Sequence, residues 1–123
     1  MIYNFEVNGV SLETTIFLLL VAHAVLDFVW QPDVMAMGKS RHYALHKNPD
    51  VDFPPWYYWL TSHAFAHGGM VFMITGSLML GVIEVCLHWL IDFIKCEKWI
   101  TLHQDQLLHM LCKTYYCIYL FYL

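Results

Sequence analysis

The stretch VAHAVLDFVW, residues 21–30, is apolar except at His23 and Asp27. Four residues separate the two, so on an α-helix they share one face, about 6 Å apart along the axis. Apolar sequence continues on the N-terminal side. LETTIFLLLVAHAVLDFVWQ (12–31) reaches the length of about 20 mostly apolar residues that a membrane-spanning helix needs. An imidazole and a carboxylate on one face of such a helix are costly in lipid unless they turn inward and meet partners. Those partners have to come from elsewhere in the chain.

Three more segments have the same character, at 56–75, 78–99 and 102–123. Of 123 residues, 59% are hydrophobic and 13% charged, and mean hydropathy is +0.51; soluble domains carry about 25% charged residues. The fold expected is an all-α membrane protein. It is one domain, residues 1–123, built as a four-transmembrane-helix up-down bundle (helices about 12–31, 56–75, 78–99 and 102–123) with a longer first cytoplasmic connection. A soluble four-helix bundle with wide apolar faces is the competing architecture. An aromatic content of 17% favours the membrane, as do Trp56, Tyr57, Tyr58, Trp59 and Trp99, which sit at segment ends like an interfacial belt. Ala22-His23-Ala24 resembles a signal-peptide cleavage site, but residues 1–13 hold no Lys or Arg, so the basic leader region is missing. Cys86, Cys96, Cys112 and Cys117 form no C-x-x-C pair and read as small apolar residues.

Lys39, Arg41 and Lys47 lie in the first connection, and Lys95 and Lys98 in or beside the third. The N-terminal arm and the turn at 75–77 hold no basic residue. By the positive-inside rule both termini are non-cytoplasmic. Local signals agree with the boundaries. Ser11 can cap the first helix, Pro54-Pro55 precede the second, and Gly76-Ser77 suit a tight turn. Thr101 and Gln104 spell a capping box for the fourth. A short amphipathic helix is expected near 33–46. Ala64, Gly68 and Gly69 would let the second helix pack closely on a neighbour.

The opening pair recurs in every helix: His63 and His67, His88 and Asp92, Asp105 and His109, each at i,i+4. Alternating helix direction sorts them into two layers near the cytoplasmic surface. The deeper holds His23, His67, His88 and His109; the shallower holds Asp27, His63, Asp92 and Asp105. Glu84 and Lys113 extend two of the stripes inward and fall level with each other, which predicts an ion pair between them. A lone histidine on an apolar helix is more often structural than functional, and polar residues can simply glue helices together. Five imidazoles and three carboxylates at one depth exceed that need.

Imidazole and carboxylate together are the ligand set of Zn²⁺, Fe²⁺ and Mn²⁺, and bundles build metal sites by projecting such groups inward. The candidate metal ligands are His23, Asp27, His63, His67, His88, Asp92, Asp105 and His109. They would hold one or two divalent ions, Zn²⁺ ahead of Fe²⁺ or Mn²⁺. Candidate catalytic residues are Asp92 and Glu84, as bases, and Lys95, against substrate charge. Lys39, Arg41, Lys95 and Lys98 would ring the mouth and suit a phosphate, although cytoplasmic loops are basic in any case. His42, His46 and His103 read as solvated. The function expected is a membrane-embedded metal-dependent hydrolase of a lipid-linked or phosphorylated substrate. Alternatives are a metal-ion or proton transporter, a non-haem di-iron oxidase, or an interaction protein with a structural metal. The lipid bilayer is the expected surrounding and a homo-oligomer is compatible. Six basic residues and a net charge of −4 argue against nucleic acid.

HAVLDFVWQ (23–31), MAMGK (35–39), HAFAH (63–67), HWLIDFIK (88–95) and DQLLH (105–109) together resemble the domain-of-unknown-function 3307 family, small membrane proteins of bacteria and their phages. The resemblance implies a four-helix protein of a bacterial inner membrane. It places the family's recurring polar positions on His23, Asp27, Gln31, Lys39, His63, His67, His88, Asp92, Lys95, Asp105, Gln106 and His109. It implies no activity.

Overall fold

The computed structural model describes residues 6, 7 and 9–123. After a two-stranded antiparallel hairpin, β1 (Glu6–Val7) and β2 (Val10–Ser11), the chain is helical: α1 (Leu12–Ala24), α2 (Asp33–Gly38), α3 (Trp56–Thr75), α4 (Leu78–Cys96) and α5 (Leu102–Tyr122). The long helices α1, α3, α4 and α5 pack in cyclic order, each against two others. The all-α reading holds. The hairpin was not anticipated; Gly9 turns it at φ 77°, a backbone region where glycine carries no steric cost.

The caps behave as the residue types dictate. The Ser11 hydroxyl accepts from the Thr14 amide, and Ser77 does the same for Leu80. Thr101 and Gln104 complete the reciprocal capping box. Gly76 ends α3 in the left-handed region at φ 69°. Two boundaries differ from expectation. The first helix does not run as one α-helix to residue 31, because Val25–Val29 widens into a π-turn, closed by the Trp30 amide on the Val25 carbonyl at 2.7 Å. The third long helix ends at Cys96 rather than at 99, and Lys98 at φ 62° reverses the chain. The amphipathic segment expected near 33–46 is two pieces, α2 and a 3-10 turn at Ala44–Lys47.

Close approach of α3 and α4 rests on two glycines. A Cβ on Gly68 would lie 2.2 Å from Val85 Cγ2 and 2.6 Å from the Gly81 carbonyl oxygen, and one on Gly81 would lie 2.9 Å from the Gly68 carbonyl oxygen. Gly69, grouped with Gly68 on sequence grounds, faces open space instead. The apolar core, Leu19, Val71, Leu80, Tyr116 and Cys117, occupies the end of the bundle away from the polar layers. All four cysteines are free; Cys117 is buried and Cys86 exposed.

Among the described residues one helical stretch, Leu12–Val29, is long and apolar enough by itself to cross a membrane. Four such spans were expected. The other three helices are diluted by what they carry: the Trp56–Trp59 cluster with His63 and His67 in α3, Glu84, Asp92 and Lys95 in α4, and Asp105, His109 and Lys113 in α5.

Candidate metal centre

Helix direction and i,i+4 spacing bring the four polar pairs to one place. His23, His67, His88 and His109, one from each long helix, close a ring of imidazoles. Successive centroids are 5.3 Å (His23–His67), 3.6 Å (His67–His88), 4.1 Å (His88–His109) and 5.1 Å (His109–His23). All four are buried, as are Asp27, His63, Asp92 and Asp105. The two layers deduced from sequence are therefore present, and all eight candidate ligands stand in one cluster.

Asp27 is the hub of the shallower layer. Its Oδ1 lies 2.9 Å from His67 Nε2, 3.1 Å from His63 Nε2 and 3.7 Å from His88 Nε2. Its Oδ2 lies 3.2 Å from His23 Nε2 and accepts from the Gln106 amide at 2.9 Å. The π-turn belongs to this arrangement: Asp27 sits inside it, and its carbonyl accepts from Gln31 at 2.8 Å. Asp92 is the second hub, with Oδ1 3.3 Å from His109 Nε2 and Oδ2 3.5 Å from His63 and 3.7 Å from His88. Asp105 Oδ1 is 3.6 Å from His109 Nε2.

These contacts do not form a complete hydrogen-bond network. His67 Nε2 and His88 Nε2 are buried and make no hydrogen bond among the described residues, although carboxylate oxygens stand close. Asp105 Oδ1 is similarly unsatisfied. One ligand atom from each of Asp27, His63, His67 and His88 fits within 4.8 Å of the others. Tetrahedral Zn²⁺ with bonds of about 2.0–2.1 Å sets its donors about 3.3 Å apart. The 2.9–3.7 Å separations around Asp27 Oδ1 match that spacing. Glu84 with His88 and His109, and Asp27 with Asp105 and His109, are equally compact groups.

Three residues beyond the eight enter the site. Lys39, expected at the mouth of the bundle, is buried, and its ammonium donates to Asp92 Oδ2 at 2.7 Å. Gly38 makes this possible by lying flat on Trp59, where a Cβ would come 2.9 Å from the ring. Gln106 bridges Asp27, Asp105 and His23. Spacing gave it no role; its sequence signal was its place among the recurring polar positions that the family resemblance implies. Tyr116 is the third, donating to Glu84 Oε2 at 2.7 Å.

Glu84 forms the predicted ion pair with Lys113 and also lies 3.2 Å from His88 Nδ1. Lys95 is half-buried beside a shallow groove of about 360 Å³, with Lys98, Cys96 and Ser40 on its walls, outside the imidazole cluster. Arg41 clasps Glu97 through two hydrogen bonds of 2.7 and 3.0 Å, and His42 joins them at 3.1 Å. Arg41 and then His42 hold the Glu97 carboxyl below the usual glutamate range, and Glu97 raises the Arg41 guanidinium. His42 and His103 are exposed, as expected of solvated residues; His46 is not, since its Nε2 lies 2.9 Å from the Gly38 carbonyl and its ring packs on Phe53.

A family model described as a protein of unknown function, DUF3307, matches residues 15–120 and so takes in every one of these polar positions. The chain belongs to the DUF3307 family. No curated protein and no solved structure matches it significantly. The family assignment agrees with the resemblance read from the polar motifs, and the site geometry is what adds chemistry to it.

Proposed function

We propose that the chain is a membrane-embedded, metal-dependent hydrolase with a buried His/Asp centre for one divalent ion near the cytoplasmic face. The observation that carries the metal is a charge imbalance. The buried charged residues are Asp27, Glu84, Asp92 and Asp105 against Lys39 and Lys113. With the imidazoles neutral, two negative charges are left in a low-dielectric interior, where unpaired charge is costly. One divalent ion restores neutrality, and a second would overshoot, which weighs against a di-iron centre. Asp27, His63, His67 and His88 are the best ligands, with Zn²⁺ preferred for three imidazoles and one carboxylate.

The membrane reading is supported by where polarity sits. Ionisable groups fill the inside of the bundle, while Phe17, Phe65, Met73, Leu78, Leu107 and Tyr115 point outward, each more than half exposed. α3, α4 and α5 have 20, 19 and 21 residues, and about 20 suffice to span. The basic connections support a centre on the cytoplasmic side.

A bound divalent ion would supply Lewis acidity toward a phosphoryl or acyl oxygen. The protein's own groups do the rest. Asp92 is the carboxylate proposed to accept a proton, the buried Lys39 is its ion-pair partner, and the half-buried Lys95 offers a cation to an anionic headgroup arriving from the cytoplasmic side. The polar column ends against the apolar cluster of Leu19, Val71 and Leu80, which weighs against a conduit.

The test is phosphate release from short-chain lipid phosphates and isoprenyl phosphates in mixed micelles, with purified full-length protein. The expected result is turnover abolished by chelation, restored by Zn²⁺, and lost in Asp92→Asn with helicity unchanged. Metal binding without turnover on either lipid class overturns the hydrolase reading and leaves an interaction protein with a structural metal.

A further inference from the structure

His88, like His109, has no exposed surface. Both nitrogens of His88 face carboxylates, but only one is within hydrogen-bond distance. On one side Nδ1 lies 3.2 Å from Glu84 Oε1. On the other, Nε2 faces Asp27 Oδ1 and Asp92 Oδ2, both at 3.7 Å, with no hydrogen bond to either.

Glu84 has no freedom to serve as a base. Lys113 donates to the same Oε1, and the Tyr116 hydroxyl donates to Oε2 at 2.7 Å. An ammonium and a phenol both giving protons to this carboxylate keep it ionised, and an ionised carboxylate can only accept. The proton between Glu84 and His88 must therefore sit on Nδ1. A neutral imidazole with its proton on Nδ1 has its lone pair on Nε2. That lone pair points at two carboxylates, an arrangement that is repulsive without a cation between them.

We infer that Glu84 is a positioning residue that fixes His88 as the Nδ1–H tautomer and so presents its Nε2 lone pair to the metal centre, with Lys113 and Tyr116 holding Glu84 in its ionised, accepting state. The inference deepens the metal-centre reading and rests on it. It replaces the general-base role that sequence position alone suggests for Glu84. Lys113 and Tyr116 thereby gain a part in the centre without touching it: they lie one and two turns along α5 from His109, on the side away from the cytoplasm. Carboxylate–histidine–metal relays of this kind change metal affinity about 10- to 100-fold when the outer partner is removed.

The experiment is long-range ¹H–¹⁵N correlation NMR on the full chain in detergent micelles, histidine-labelled, metal-stripped and at alkaline pH to keep the rings neutral. His88 is assigned by its absence in His88→Asn. The expected result is a protonated Nδ1 and a bare Nε2 on His88 in the wild-type protein. In Glu84→Gln the expected result is a mixed tautomer signal and a 10- to 100-fold loss of Zn²⁺ affinity in chelator competition, while Glu84→Asp recovers part of both. A proton on Nε2 in the wild-type spectrum overturns the inference whatever the variants do, so a variant that fails to fold does not rescue it. Full Zn²⁺ affinity in a folded Glu84→Gln protein overturns it as well. If Nδ1 is protonated and the wild-type chain binds no divalent ion at all, the metal-centre reading fails while the tautomer assignment stands, so the two failures are told apart.

Discussion

Single side chains in this molecule are constrained by what lies opposite them. Lys39 is the clearest case, a cation carried by a connecting segment yet buried on Asp92 at 2.7 Å. Removing it should leave the Asp92 carboxylate uncompensated, and breaking a buried pair of this kind costs about 3–5 kcal/mol. Lys39→Met is therefore expected to lower the unfolding free energy of the metal-free protein by about that amount, read by chemical denaturation in detergent; a change within experimental error would show that the pair is not formed. The exposed Arg41–Glu97 clasp is different in kind. The carboxyl of Glu97 is held low by Arg41 and His42, so its contribution is present above the ordinary glutamate pKa of about 4.3 and is lost as pH falls through the lower folded value. Hydrogen-exchange protection at residues 40–43, taken relative to the intrinsic rate at each pH, should stay unchanged down to that ordinary value and fall only below it. Of the site, the eight i,i+4 residues and the Glu84–Lys113 pair were legible because helical spacing alone fixes them. Lys39 and Gln106 were marked by the family resemblance but not their partners, and Tyr116 was not marked at all, because their roles depend on a loop's path, a neighbour across α1, and a hydroxyl at the end of a long ring.

At the level of helices, start signals were readable and end signals less so. Ser11, Ser77 and the Thr101–Gln104 box each satisfy amides that their own helix leaves open. The π-turn at Val25–Val29 has no such residue signature; it follows from tertiary demands on Asp27, whose side chain serves three other helices. Adjacent glycines in α3 separate packing from propensity. Gly68→Ala should destabilise by about 1–3 kcal/mol through overpacking, since the added Cβ meets Val85 and the Gly81 carbonyl. Gly69→Ala meets nothing within 4 Å and should be neutral or stabilising by up to about 1 kcal/mol. Thermal unfolding of both variants in one detergent checks the pair, and equal effects would contradict the α3–α4 packing described.

Across the bundle of long helices, the buried ionisable groups face inward and large apolar side chains face outward, while the connecting segments carry exposed charge. Composition pointed to that arrangement, but hydropathy singles out only the first helix, because the residues that form the centre also lower the averages of the other three. The fold and the placement of the centre come from the same feature, one ionisable pair per helix at matched depth. With the imidazoles neutral, the buried acids among the described residues outnumber the buried lysines by two, and that imbalance leads to a stoichiometry of one divalent ion. Elemental analysis of the purified full-length protein tests it most directly. One divalent ion per chain is expected, Zn²⁺ foremost, falling to background in Asp27→Asn and His67→Ala. A metal-free wild-type protein that still folds after metal supplementation, or a metal content that those substitutions leave unchanged, would contradict it.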